Sequence, residues 1–298
     1  MNNAEPVIAR LHGASKRYGK VLALDGVNLE VRRGEVLAVL GPNGAGKTTA
    51  ISLLLGLLKP DSGSATLFNA SPHALSSRRR IGAMLQTSGV PETITVGELI
   101  ALFCSYYPKP RSVADIVALA GVGELLKLRY GKLSGGQQRR AQFALALAGR
   151  AEVLFLDEPT TGLDIQAREA LWKTIRQLVG DGCAIVLTTH YLEEAEALAD
   201  RVSMLAQGRI VAEGSVSDMR ARVAQRRIRC LTTLDPAAIE RWPDVRGAVR
   251  LGDHLEITSE AAEDVVRKLL EADSNLSELE VRRAGLAEAF VEITKEAA

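Results

Sequence analysis

The chain is 298 residues long, with 47% apolar and 24% charged residues. This ordinary globular composition excludes a disordered or collagen-like polymer and leaves room for one large domain or two modest ones. Its 37 basic residues against 36 acidic ones give a formal charge of +1, without the basic excess of a general nucleic-acid binder. The balance is uneven, because from Ala221 onward 12 basic residues face 15 acidic ones, leaving a surplus of four positive charges in the first 220. That shift predicts a second, separate piece of chain. No window reaches the roughly 18 consecutive apolar residues that would cross a bilayer, and the start lacks the basic flank and apolar core of a secretory signal. Cys104, Cys183 and Cys230 lie far apart with no Cys-x-x-Cys pair, which predicts buried reduced thiols rather than disulfides or zinc ligands. The expectation is a soluble protein whose membrane role comes through a partner.

In chain order, Ile8 to Ala14 and Val27 to Val31 have strand composition, punctuated by Gly19-Lys20 and Arg33-Gly34. The apolar run from Glu35 to Leu40 reads as a strand buried on both faces. It meets a glycine-rich loop and passes into a helix over Lys47 to Leu58. Mostly helical pattern then covers Val96 to Tyr107, Val113 to Ala120, Glu124 to Leu128 and Ser134 to Ala148. Val153 to Leu156, Ala184 to Thr188 and Arg201 to Ala206 read as strands, with helices over Ile165 to Val179 and Tyr191 to Asp200 between them. Alternating strands and helices predict a mostly parallel sheet with right-handed crossovers. The tail changes character: strands at Arg227 to Leu234, Val245 to Arg250, His254 to Thr258 and Leu276 to Arg282 alternate with helices at Pro236 to Trp242 and Ala261 to Ala272. With a closing helix over Leu286 to Lys295, the order βαββαβ predicts a small ferredoxin-like α+β domain. The expected boundary puts residues 1–220 in the first domain and 221–298 in the second.

Gly41-Pro42-Asn43-Gly44-Ala45-Gly46-Lys47-Thr48 matches the phosphate-loop pattern. Glycines let backbone N–H groups curl around an anion, and the helix that opens at Lys47 directs its positive end to the same point. Lys47 adds a point charge for the outer phosphates, and the Thr48 hydroxyl suits Mg²⁺. Asp157 and Glu158 follow the buried strand at Val153, at the carboxyl edge where parallel sheets bind ligands. Asp157 is the candidate Mg²⁺ holder and Glu158 the candidate polariser of a water that attacks the γ-phosphate. Leu133-Ser134-Gly135-Gly136-Gln137 places an N-cap serine and two glycines at a second helix start, a second anion site.

These motifs, in this order, resemble the nucleotide-binding subunit of an ATP-binding cassette (ABC) transporter over approximately residues 6 to 220. The resemblance implies the phosphate-loop ABC fold: a mostly parallel core sheet, an antiparallel β-subdomain, and a helical subdomain over about residues 91–149. Within that pattern Gln86 resembles the Q-loop glutamine, Gly162-Leu163-Asp164 the D-loop, His190 the switch histidine, and Tyr18 the aromatic residue that stacks on adenine. ATP and Mg²⁺ are the implied ligands. Gly41 through Thr49 with Tyr18 would bind ATP, and Thr48, Gln86 and Asp157 would hold Mg²⁺. Glu158 would be the general base, with His190 at the γ-phosphate and Gln86 sensing Mg²⁺ and the water. Two copies would pack head to tail, so that Ser134, Gly135, Gly136, Gln137 and Asp164 act in trans on the opposite nucleotide.

One cassette without a membrane span implies a separate integral-membrane permease and a peripheral cytoplasmic location on the inner face of the cell membrane. The stretch Ala284 to Thr294, together with Gly41-Pro-Asn-Gly and Gln86-Thr-Ser-Gly, resembles bacterial ABC-2-type exporter ATPases, which often act on drugs or antibiotics. A drug-like, lipid or similar substrate is therefore expected. The alternative is a soluble cassette ATPase acting on nucleic acid or ribosomes. Translation-factor cassettes normally carry two phosphate loops, and chromosome-organising ones a long coiled coil, and this sequence has neither; no nucleic-acid partner is expected. The tail could instead serve as a regulatory module that binds a small molecule or partner, or as a plain dimerisation domain. Arg78, Arg79 and Arg80 read as a solvated face.

Overall fold

A computed structural model of the chain describes residues 6–86, 89–221, 226–283 and 285–296; Thr87, Ser88 and Ala284, used above in the exporter resemblance, lie outside them. The chain divides into two compact units, one running to Val216 and one from Ser217 to Glu296.

In the first unit, β1 (Val7–Tyr18) and β2 (Val21–Arg32) form an antiparallel hairpin across the Gly19-Lys20 turn. Next come β3 (Val36–Leu40), α1 (Lys47–Leu54), β4 (Ser62–Leu67), α2 (Leu75–Arg78) and β5 (Ile81–Met84). Strand β4 pairs with the far side of β1, completing a three-stranded antiparallel sheet in the order β2-β1-β4. Helices α3 (Val96–Ser105), α4 (Val113–Ala120) and α5 (Gly135–Ala146) lead into β6 (Val153–Asp157), α6 (Ile165–Gly180), β7 (Ala184–Thr188), α7 (Leu192–Leu198), β8 (Arg201–Ala206) and β9 (Arg209–Gly214). The core sheet runs β5-β6-β7-β3-β8-β9, parallel except for the antiparallel β8-β9 pair at one edge.

The composition of β3, β6 and β7 accounts for their central position. Every residue of the three strands is buried, as unbroken apolar runs must be when both sheet faces are covered. Alternation then splits their side chains between two cores. Val153 and Phe155 pack with β1, β2 and α1, while Leu154 and Leu156 pack with the α3–α5 helices and α6. Two helix starts in the α3–α5 region have a local reason: Thr95 and Glu98 form a reciprocal capping box on α3, and Ser112 caps α4.

Four elements differ from their sequence expectations. Helix α1 stops at Leu54 rather than Leu58, because the chain turns at Gly56 with φ +66°, where a Cβ would sit 2.7 Å from the Pro72 carbonyl carbon. Glu124 to Leu128 is a single 3-10 turn over Gly123–Leu125 rather than a helix. Strand β4 is short, polar and mostly exposed and β9 is short and half-buried, so neither carries a strong signal and pairing to a neighbour helps decide them.

The second unit begins within α8 (Val216–Ala221) and continues through β10 (Arg226–Leu231), α9 (Pro236–Ile239), β11 (Val245–Leu251), β12 (His254–Ser259), α10 (Ala262–Ala272), β13 (Ser277–Arg283) and α11 (Leu286–Glu296). Its antiparallel sheet has the order β11-β12-β10-β13, the arrangement of a ferredoxin-like α+β sandwich. Ile228, Cys230, Leu255 and Ile257 on one sheet face pack against Ile239, Val265 and Leu269. Asp273 ends α10 and accepts hydrogen bonds from the Thr232 hydroxyl and the Thr233 and Asn275 amides. Those bonds hold its carboxyl below the usual carboxylate range.

Candidate functional site

The loop from Gly41 to Gly46 joins the end of β3 to the start of α1. Gly46 has φ +107°, and a Cβ there would fall 2.4 Å from the Ala23 carbonyl oxygen. Only glycine permits that turn. The turn brings Lys47 back over its own loop, so that Nζ donates to the carbonyl oxygens of Gly41 at 2.7 Å and Pro42 at 3.1 Å. Burial lowers the Lys47 pKa, and the negative charges of Glu158 and Asp157 partly oppose that shift.

One cavity of about 300 Å³ collects Asn43, Gly44, Ala45, Gly46, Lys47, Thr48 and Thr49 with Tyr18, Ala23, Gln86, Asp157 and Glu158. These residues come from β1, β2, the phosphate loop, the start of α1, the segment after β5 and the end of β6, so the core sheet's carboxyl edge helps assemble the site. Backbone donors, one lysine and two carboxylates around a concave space suit a polyphosphate carrying a divalent cation.

Asp157 is buried, and burial raises its carboxyl pKa against the opposing hydrogen bond from Thr188. Its Oδ1 accepts from the Thr188 hydroxyl, while Oδ2 is buried without a partner. A dry carboxylate oxygen left open beside a threonine hydroxyl fits a magnesium ion. Among the described residues no group of three His, Cys, Asp or Glu side chains could hold a metal alone. Phosphate and water would complete the shell, as Mg²⁺ prefers.

Glu158 follows the last residue of β6 with φ +51°, a left-handed conformation that costs a non-glycine residue about 1–3 kcal/mol. Its amide donates to the Thr188 carbonyl at 2.9 Å. Its carboxylate meets His190 Nδ1 at 3.3 Å and accepts from the Thr161 hydroxyl at 3.4 Å. His190 is half exposed and stacks at 4.0 Å on Tyr191.

The remaining candidates lie outside this cavity. Ser134 caps α5 reciprocally with Gln137, accepting from the Gln137 amide at 3.3 Å while Gln137 Oε1 takes the Ser134 amide at 2.9 Å. Gly135 faces open space, and a Cβ on Gly136 would come within 3.0 Å of the Gly162 carbonyl oxygen. Asp164 caps α6 by accepting from the Ala167 amide at 2.8 Å. Thus Ser134, Gly135, Gly136, Gln137 and Asp164 gather on a separate surface beside the Gly162 turn, and none lines the cavity around Lys47. Arg78 donates to the Gly56 carbonyl and Arg80 pairs with Glu152. Two of the three arginines read as a solvated face therefore serve as fold contacts.

Sequence reasoning missed the buried group behind Glu158 and His190. Thr160, Thr189 and Glu194 are 4%, 1% and 0% exposed. The available signal was helical spacing, since Glu194 shares a face of α7 with the buried Leu198 four residues on.

A model of the ABC transporter family matches residues 24–161. The chain is 39% identical over 300 residues to the daunorubicin resistance ATP-binding protein DrrA3 of Streptomyces coeruleorubidus, covering 95% of this chain and 94% of that one. It is 34% identical over 306 residues to the doxorubicin resistance ATP-binding protein DrrA of Mycobacterium tuberculosis, covering 95% and 92%. It is 41% identical over 207 residues to the Nod factor export ATP-binding protein I of Burkholderia orbicola, covering 67% and 68%. Among solved structures, a bacterial ABC transporter cassette determined as a dimer matches with a TM-score of 0.65 and 26% identity, over 70% of this chain and 98% of that one. The same cassette in a post-hydrolysis state with ADP and phosphate matches equally.

Proposed function

The chain belongs to the ABC transporter family as an ATP-binding, ATP-hydrolysing subunit, and from that premise we propose that it powers export of a drug-like, lipid or similar substrate through a separate membrane permease. The observation that carries the reading is the cavity that joins the Lys47 loop, the unpartnered Asp157 oxygen and the Glu158 carboxylate. Export is supported by relatives named for drug resistance and Nod factor export that align along most of their length. No described helix is long and apolar enough to cross a membrane. The protein would then sit on the cytoplasmic face of the membrane through that permease. No comparison favours the nucleic-acid or ribosome alternative.

In this reading the loop from Gly41 to Thr49 wraps the phosphates with backbone N–H groups, and Tyr18, half exposed at the cavity edge, stacks on the adenine. Lys47 neutralises charge on the outer phosphates. Thr48, Gln86 and Asp157 would hold Mg²⁺, which would supply charge neutralisation at the phosphates. Glu158 accepts the proton of the attacking water. The bond formed joins the water oxygen to the γ-phosphorus, the bond broken joins that phosphorus to its bridging oxygen, and ADP leaves. His190, paired to Glu158, sits where it can stabilise γ-phosphate charge, and Gln86 at the cavity would sense Mg²⁺ and the water. Catalysis is positioning and charge stabilisation in a partly dry site.

Ser134, Gly135, Gly136, Gln137 and Asp164 do not line their own chain's cavity, which supports a head-to-tail homodimer in which each set meets the partner's nucleotide. ATP would then act as adhesive between the copies and hydrolysis would release them. The test is purification of the tagged full chain from its native membranes. Copurification of a polytopic membrane protein whose presence raises ATP turnover supports the export reading, and repeated purification of the chain with ribosomes or nucleic acid instead contradicts it.

A further inference from the structure

Behind the Glu158–His190 pair lies a buried carboxyl group that the reaction scheme does not use. Glu194, on α7, is fully buried. Its Oε1 accepts from the Trp172 indole at 3.3 Å, which ties it to α6. The hydroxyls of Thr189 and Thr160 are its other polar neighbours. Thr189 directly precedes His190, and Thr160 follows Glu158 by two residues. One side chain therefore faces both segments that carry the reacting pair.

The local geometry shows how the contact acts. The Thr189 oxygen accepts the Tyr191 amide at 2.9 Å, bridging the backbone across His190. Its hydroxyl proton remains free for the neighbouring Glu194 carboxyl, which would refer the orientation of the His190 backbone to α7. On the other side, Glu194 Oε2 and the Thr160 hydroxyl are both buried and neither completes a hydrogen bond. Unformed bonds between complementary buried groups are costly, and a small shift of the Pro159–Thr161 segment toward α7 would form this one. Arg168, whose Nε is likewise buried without a partner and whose guanidinium lies 5.2 Å from the Trp172 ring centroid, favours the charged carboxylate. Burial acts in the opposite direction and raises the Glu194 pKa.

We propose that Glu194 is a positioning residue for ATP hydrolysis: beside Thr189 it steadies the His190 segment, and it is the acceptor that the Thr160 hydroxyl meets when the Pro159–Thr161 segment moves toward α7 and sets Glu158. This rests on the assignment of Glu158 and His190 above. A full charge is not needed for the role, but two acceptor or donor atoms at that spot are. A misplacement of about 1 Å at reacting groups can cost about a hundredfold in rate, and loss of one of two anchors is expected to cost less.

The experiment measures ATP affinity and turnover in the full chain carrying Glu194→Ala, with Glu194→Gln as the conservative rescue and Thr160→Val and Thr189→Val as variants that keep the helix intact. Each is also combined with His190→Ala. Glu194→Ala, Thr160→Val and Thr189→Val are expected to lower kcat about tenfold while ATP affinity stays within about twofold. Glu194→Gln should recover most of the rate. In the His190→Ala background the Thr189→Val effect should largely vanish, because positioning an absent imidazole costs nothing. Unchanged kcat in the two threonine variants, or an equal further loss in the His190→Ala background, overturns the positioning role. Near-normal turnover in Glu158→Gln would instead overturn the site assignment beneath it, and the proposal with it.

Discussion

Glu158 and His190 follow neighbouring parallel strands of the core sheet and meet at 3.3 Å between Oε1 and Nδ1. The contact depends on the φ of +51° at Glu158, which turns that side chain out of the strand direction. A group that must accept a proton from a bound water has to be held this firmly and still remain accessible; the Glu158 side chain is 15% exposed. Glu158→Gln keeps the shape and removes the base. Turnover should fall about a hundredfold or more, with ATP binding retained. A coupled phosphate-release assay and nucleotide titration measure both, and a near-normal rate removes Glu158 from the role.

Lys47 carries a different consequence. Its ammonium is tied to the Gly41 and Pro42 carbonyls, beside two carboxylates. Exchanging those contacts for phosphate oxygens relieves a desolvated cation. Lys47→Ala should weaken ATP binding itself by about tenfold or more. Equilibrium titration with a fluorescent ATP analogue reads this directly, and unchanged affinity would refute the phosphate-loop assignment.

Gly46→Ala tests the loop's backbone rather than its charge. A methyl group would meet the Ala23 carbonyl at 2.4 Å and Leu24 Cδ2 at 2.7 Å, on a residue with φ +107°. Backbone must move, so the variant should lose about 1–3 kcal/mol of stability in the first unit and most of its ATP affinity. Thermal unfolding with and without ATP measures both, and a wild-type midpoint with wild-type affinity would contradict the geometry.

The three cysteines are all buried. Burial pushes the Cys183 thiol up to about 12 and raises Cys104 and Cys230 as well. Since the thiolate is the nucleophile, none should react with a maleimide at pH 7.5 in the folded chain, and all three should react in denaturant. Rapid native labelling of any one would show that its packing is wrong.

The sequence made the central strands and the chemistry legible for one physical reason. Val153 to Leu156 and Ala184 to Leu187 are unbroken apolar runs because both sheet faces are covered, and the glycines before Lys47 are needed by the loop's backbone. Polar edge pieces behaved differently: Ser62 to Leu67 and Arg209 to Gly214 are strands only because β1 and β8 pair with them. The sequence pattern suits Ser134 and Asp164 to action in trans, and within one chain they are helix caps; both roles need the same residue types. Glu194 was invisible because Glu193, Glu194 and Glu196 look alike in a charged helix, and only packing against Trp172 and the two threonines singles one out.

The most direct test of the whole account asks whether two copies close over ATP through Ser134. Sedimentation velocity of Glu158→Gln with saturating Mg²⁺ and ATP should show a shift from monomer to dimer. The same variant carrying Ser134→Arg should bind ATP with similar affinity and remain a monomer. A Glu158→Gln chain that stays monomeric at saturating ATP, or a Ser134→Arg derivative that dimerises equally well, would contradict closure of paired half-sites.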